Sequence, residues 1–150
     1  QRVAVPAPYT VLIDYAHNGG SFRALLSALR EHRPRRILLV FGAGGDRPKM
    51  RRTDMAQAAA QGADFAVLTA DNPRSEPVEA ICADIAAALG DLPHEIVPDR
   101  RKAIFRALDL AGPGDVVALL GKGHEEYIEE RGVRRPFSDQ GTVAEYFAAR

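Results

Sequence analysis

The stretch Ile37-Leu38-Leu39-Val40-Phe41-Gly42-Ala43-Gly44-Gly45-Asp46-Arg47-Pro48-Lys49 decides the fold class. Its first part, Ile37 to Phe41, is a short and continuously apolar run bounded by glycine, which reads as a strand covered on both faces. The glycine-rich loop Gly42 to Lys49 then leads to an Ala-rich helix over Asp54 to Gln61, and a second apolar run, Phe65 to Thr69, completes a strand, helix, strand unit.

The same order recurs on either side. Upstream, Tyr9 to Ile13 is a strand ending at Asp14, followed by a loop through Asn18, Gly19 and Gly20. Ser21 is the expected cap of a helix whose apolar residues Phe22, Leu25, Leu26 and Leu29 share one face. Downstream, the polar loop Asp71 to Glu76 precedes a helix over Pro77 to Leu89 that aligns Val78, Ile81, Ile85 and Leu89, with proline in its first turn. Glu95 to Val97 is a very short strand, Asp99 a cap, and Lys102 to Leu110 a helix stopped by Gly112-Pro113-Gly114. Val116 to Leu120 is the next strand. Val133 to Phe137 reads as an edge strand because it contains Pro136, and Ser138 or Asp139 starts a terminal helix through Val143, Tyr146 and Phe147. Gln1 to Pro8, with Pro6 and Pro8, reads as an extended lead-in, so the folded domain is expected over residues 9–150. Alternation of this kind predicts an α/β fold, a three-layer Rossmann-like domain with a mostly parallel sheet and helices on both faces.

Composition narrows the function classes. Twenty Lys plus Arg balance twenty Asp plus Glu, which argues against a partner held through its phosphate backbone, so no nucleic acid is expected. No apolar run approaches the ~20 residues that span a bilayer, so no membrane insertion is expected. The single cysteine, Cys82, excludes an internal disulfide and lies on an apolar helix face as a small core residue; no charged and then apolar leader opens the sequence. A cytoplasmic setting is expected. The arginine clusters Arg30 to Arg36, Arg51-Arg52 and Arg131 to Arg135 read as solvated faces.

In a parallel sheet the loops that follow strands gather on one edge, where α/β folds bind ligands. Asp14-Tyr15-Ala16-His17-Asn18, Gly44-Gly45-Asp46-Arg47, Asp71-Asn72-Pro73-Arg74 and Gly121-Lys122-Gly123-His124-Glu125 all occupy such positions. Each alone also reads as a polar turn. Together they bring imidazoles, carboxylates, arginines and a lysine to one rim. The glycine-rich loop matches neither the G-x-x-x-x-G-K-[ST] phosphate loop nor G-x-G-x-x-G, and no metal-ligand spacing such as H-E-x-x-H is present.

These four motifs, with Asp99-Arg100 and Phe137-Ser138-Asp139, resemble the C-terminal domain of a Mur ligase, most closely the tripeptide-synthesising MurE type, over the chain from Tyr9 onward. The resemblance implies an enzyme that uses ATP and Mg2+ to join meso-diaminopimelate, or else L-lysine, to the D-glutamate of UDP-MurNAc-L-Ala-D-Glu through an acyl phosphate. It implies further that Arg47, Asp71, Asn72, Arg74, Gly121 and Glu125 line the amino acid site, with Asp14 and His17 toward the nucleotide. No residue of this domain is expected to be catalytic. An arginine can grip the second carboxylate of diaminopimelate bidentately, and Glu125 can receive its distal ammonium.

Two departures stand out. Asn18-Gly19-Gly20 replaces the Thr-Pro-Asp usual in diaminopimelate-adding members and is reminiscent of some lysine-adding ones. Pro48-Lys49-Met50-Arg51-Arg52 replaces Asp-Lys-Gly-Lys-Arg-Pro. The UDP-binding domain and the ATP-binding central domain, which would hold most of the ATP and Mg2+, are expected outside these 150 residues, and the fragment alone is expected to be inactive. A folylpolyglutamate or cyanophycin synthetase type of ligase, and a non-catalytic ligand-binding module, are the competing readings.

Overall fold

A computed structural model describes residues 1–150. In chain order the elements are β1 (Arg2–Val3), β2 (Thr10–Asp14), α1 (Gly19–Glu31), β3 (Ile37–Phe41), α2 (Met50–Gly62), β4 (Phe65–Leu68), α3 (Val78–Ala87), β5 (His94–Ile96), α4 (Arg100–Leu110), β6 (Val116–Leu120), β7 (Tyr127–Glu130), β8 (Val133–Pro136) and α5 (Asp139–Ala148). Six strands form one sheet in the order β1-β2-β6-β3-β4-β5, parallel except for β1, and β7-β8 form a separate hairpin. The three-layer α/β expectation therefore holds.

Handedness explains which helix covers which face. From β2 the chain moves through β3 and β4 to β5 in one direction across the sheet, so right-handed crossovers put α1, α2 and α3 on one side. The return from β5 to β6 runs the other way and puts α4 on the opposite side, joined by α5. Strand alternation feeds both layers. Ile37, Leu39, Phe41, Ala66, Leu68, Ala118 and Leu120 face the α1–α3 side, whereas Leu38, Val40, Val67, Val117 and Leu119 face α4 and α5. No helix is long and apolar enough to cross a membrane.

Several sequence expectations are corrected. Residues 1–8 are not only a lead-in: Arg2 and Val3 pair antiparallel with Leu12 and Val11 at the sheet edge. The cap of α1 is Asn18, whose side chain accepts from Ser21 N, while Ser21 Oγ completes a capping box three residues in. Helix α2 begins at Met50 rather than Asp54, because Pro48 and Lys49 already start the turn that Arg51 and Arg52 close through their N–H groups. Segment Val133–Pro136 is not an edge of the main sheet; it pairs with β7, a strand whose Tyr127, Glu129 and Glu130 conceal it from a hydropathy reading.

The arginine clusters are not all solvated either. Arg35 and Arg36 converge on the buried carboxylate of Asp115, at 2.9 Å each, and fasten the start of β3 to the turn before β6. Burial alone would raise the pKa of Asp115, but its bonds from Arg36, Arg35 and the Gly112 N–H outweigh that and hold it below the usual carboxylate value.

Candidate active-site cleft

Adjacent strands β2, β6, β3 and β4 all end on one edge, and their following loops enclose a cleft of about 220 Å³. All six residues expected at an amino acid site line it: Arg47, Asp71, Asn72, Arg74, Gly121 and Glu125. His17 lines it too. Asp14 does not; it borders a neighbouring depression with Ile13, Gly123 and His124, and its carboxylate accepts the Ala16 N–H at 2.9 Å in a local turn. Tyr15 and Glu125 border both spaces. The His17 ring nitrogen Nδ1 lies 2.9 Å from the Tyr15 carbonyl oxygen and its ring meets Tyr15 edge-on.

The loops are bound to one another before any ligand arrives. Gly45 N donates to the Asn72 carbonyl at 2.9 Å, and a Cβ at Gly45 would overlap the Pro73 carbonyl oxygen, so only glycine permits this approach. Asp46 accepts from the Ser75 hydroxyl and N–H, and chiefly through that hydroxyl its carboxyl is held below the ordinary value. Arg74 sits at φ +54°, a left-handed conformation that costs a non-glycine residue about 1–2 kcal/mol. It is held there by main-chain bonds on both sides, from its N–H to Glu129 O (3.0 Å) and from Arg131 N–H to its own carbonyl (2.8 Å). The β7-β8 hairpin is thus a clamp on the Asp71-to-Arg74 loop. Arg74 Nη1 donates to Gly45 O at 3.1 Å, which leaves other donors of its guanidinium to the cleft.

Beneath the floor lies a buried ion pair. Arg100 donates from Nε and Nη2 to the two oxygens of Asp139, each at 2.8 Å, and from Nη1 and Nη2 to the carbonyls of Ala70 and Leu120. Those carbonyls immediately precede Asp71 and Gly121. Asp99-Arg100 and Phe137-Ser138-Asp139 are therefore supports rather than ligand contacts: Asp99 and Ser138 cap α4 and α5, and the two helices carry the pair that joins the ends of β4 and β6.

Three polar side chains that line the cleft lie outside the set expected from the sequence. Arg52, whose sequence context reads as a solvated face, is 1% exposed, lines the cleft, and bonds Glu76 (2.7 Å) and Asp84 (2.8 Å). Burial opposes its charge, but those two carboxylates outweigh the cost and raise its guanidinium above the ordinary value. The signal was available: Arg52 shares a helical face with Met55, Ala56 and Ala59, all buried. Arg51 is exposed and borders the same cleft, as does Tyr15, whose hydroxyl is raised mainly by the negative Glu125 beside it. Cys82 is fully buried, and burial pushes its thiol up to about 12, consistent with a core role. No three His, Cys, Asp or Glu side chains gather closely enough to hold a metal ion.

The family profile described as Mur ligase, glutamate ligase domain, matches residues 1–123. The chain belongs to the Mur ligase family. Over 138 residues, 91% of the chain, it is 45% identical to the UDP-N-acetylmuramoyl-L-alanyl-D-glutamate--2,6-diaminopimelate ligase of Aquifex aeolicus. A solved structure of a ligase with that same name superimposes on 99% of the chain with a TM-score of 0.92 and 37% identity. A bifunctional folylpolyglutamate synthase/dihydrofolate synthase from Yersinia pestis also superimposes on 99% of it, at a TM-score of 0.64 and 21% identity, which shows a shared fold. The Mur ligase domain described here spans 29% of the Aquifex aeolicus protein and 31% of the solved ligase.

Proposed function

We propose that this Mur ligase domain supplies the amino acid site of a longer, cytoplasmic ligase that adds meso-diaminopimelate to UDP-MurNAc-L-Ala-D-Glu. The single observation that carries the reading is the lining of the cleft. Arg47, Arg51 and Arg74 line the cleft beside Arg52, whose charge is already matched by Glu76 and Asp84, and Asp71 and Glu125 line it with Gly121. These three guanidiniums exceed what one α-carboxylate needs, and a second carboxylate on the incoming amino acid fits that excess. L-Lysine brings no second carboxylate. The Asn18 departure does not favour lysine, because Asn18 serves as the cap of α1, a task that threonine also performs.

In the proposed reaction the D-glutamate carboxylate takes the γ-phosphoryl group of ATP to become an acyl phosphate, releasing ADP, and the amine of diaminopimelate attacks the acyl carbon, giving up a proton and displacing inorganic phosphate to form the amide. ATP and Mg2+ would be held mainly by the central domain of the same chain; Mg2+ finds no cage of side chains here, and no step assigned to this domain runs through it. What these residues do is binding and orientation. Arg74 and Arg47 hold the distal carboxylate, and Asp71 and Glu125 hold the distal ammonium. The reacting amine is thereby presented to the partner domain in a fixed pose, with water excluded on closure. His17 and Asp14, on the side of the β2 loop, face toward the nucleotide in this reading.

The test is amino-acid-dependent ADP release by the full-length ligase, given UDP-MurNAc-L-Ala-D-Glu and ATP. Turnover is expected with meso-diaminopimelate and at least about 100-fold less with L-lysine, the discrimination a site achieves when its charged groups are left unpaired by the wrong substrate. Preference for lysine would overturn the substrate, and no turnover with either would overturn the reaction.

A further inference from the structure

We infer that Lys122 is a positioning and specificity residue of the amino acid cleft, one that sets the spacing and the net charge of the carboxylates receiving the ligand's ammonium. The inference rests on the reading of the cleft given above. Lys122 does not itself border the cleft; its side chain is 0% exposed and its Nζ lies 5.6 Å from the centre of the Tyr127 ring. Gly121 and Gly123, at φ +106° and +54°, turn the chain on either side of it.

An ammonium has three protons. Lys122 Nζ meets Asn72 Oδ1 at 2.8 Å and Glu125 Oε1 at 3.1 Å, and the remaining proton faces Asp71 Oδ1 and the Asp71 carbonyl, both at 3.4 Å. No donor is left for a ligand, so the lysine acts only through these neighbours. Asn72 Oδ1 also accepts the Glu129 N–H at 2.9 Å, and the two donors together fix the amide so that Nδ2 points to Glu125 Oε1 at 3.2 Å. Glu125 therefore receives two bonds on Oε1, while its Oε2 has only the Tyr15 hydroxyl at 3.4 Å. Asp71 Oδ2 rests against Gly121, where any Cβ would overlap it. One oxygen of each carboxylate is thus engaged from below and the other is left to the cleft.

The charges follow the same division. Asp71 and Glu125 contribute two negative charges and Lys122 one positive, and Arg100 beneath them is already matched by Asp139. The residual single negative charge suits one ammonium. Without Lys122 the two carboxylates would repel each other unscreened, and Asn72 Oδ1 would lose one of the two donors that orient its amide.

The experiment uses the full-length ligase with Lys122→Met and Lys122→Gln, assayed by ADP release with meso-diaminopimelate and with 2-aminopimelate, which lacks the distal ammonium. Both variants are expected to raise KM for meso-diaminopimelate roughly 10- to 100-fold, to leave KM for ATP unchanged, and to reduce the preference for meso-diaminopimelate over 2-aminopimelate at least about tenfold. Should Lys122→Met fail to fold, Lys122→Gln keeps a donor for Asn72 and carries the test. An unchanged KM and preference, or a loss shared equally by both substrates and ATP, would overturn the inference. An unaltered enzyme inactive with both amino acids would instead overturn the reading of the cleft, and the inference with it.

Discussion

Replacing Arg74 by alanine in the full-length ligase is expected to lower kcat/KM for meso-diaminopimelate by about 100- to 1000-fold while KM for ATP stays nearly constant. The Arg74 side chain is 22% exposed, and its Nε faces Glu129 at 3.8 Å. A carboxylate gripped there by two parallel N–H bonds is a strong, charge-assisted contact, and truncating one partner of such a pair costs roughly 2–5 kcal/mol. Alanine is the informative replacement because it keeps the Cβ. The left-handed backbone at φ +54° and the two main-chain bonds to the hairpin then remain as they are, and only the fork is removed. Lysine at this position is expected to restore little, since a point charge does not reproduce a planar bidentate donor. Steady-state ADP release against meso-diaminopimelate concentration measures the effect, and an unaltered KM would remove Arg74 from the site.

The largest effect on stability is expected at Arg100. Arg100→Ala leaves the Asp139 carboxylate buried without a counter-charge and strips the carbonyls of Ala70 and Leu120 of a donor, a combination that costs about 3–5 kcal/mol. For a chain of this length that corresponds to a fall in Tm on the order of 10 °C. The double replacement Arg100→Met with Asp139→Leu removes both charges and is expected to recover much of the loss, because an apolar pair of similar volume carries no desolvation penalty. Thermal unfolding of the 150-residue chain followed by circular dichroism makes the comparison. A single variant as stable as the unaltered chain would show that the pair does not join β4 to β6.

The centre of the sheet was legible in the sequence because β3 and β6 are buried on both faces. Ile37–Phe41 and Val116–Leu120 carry no polar residue to blur their limits, and both have the bounds that the apolar runs predict. The hairpin was only half legible. Tyr127–Glu130 contributes one buried residue, Ile128, and its stability comes from pairing with β8 and with the Arg74 loop, which a local pattern does not display. The site shows the same contrast. Residues in dense polar motifs after strands, such as Asp71 to Arg74, announce themselves as loop chemistry. Arg52 does not, because its guanidinium is engaged by Glu76 and Asp84, 24 and 32 residues away, and a charge on a helix reads as solvated unless those partners are known. The motif Asp99-Arg100 was recognisable as a pattern, yet its task as a buried tie emerged only when α4 and α5 were seen to place Arg100 against Asp139.

The position of the bound amino acid is the most direct test of these roles. A crystal structure of the full-length ligase soaked with meso-diaminopimelate is expected to show the ligand in the cleft between the glycine-rich loop and Gly121, its distal carboxylate paired with Arg74 and its distal ammonium between Asp71 and Glu125. Ligand density outside that cleft, or within it with the carboxylate turned toward Asp71 and Glu125, would contradict the account.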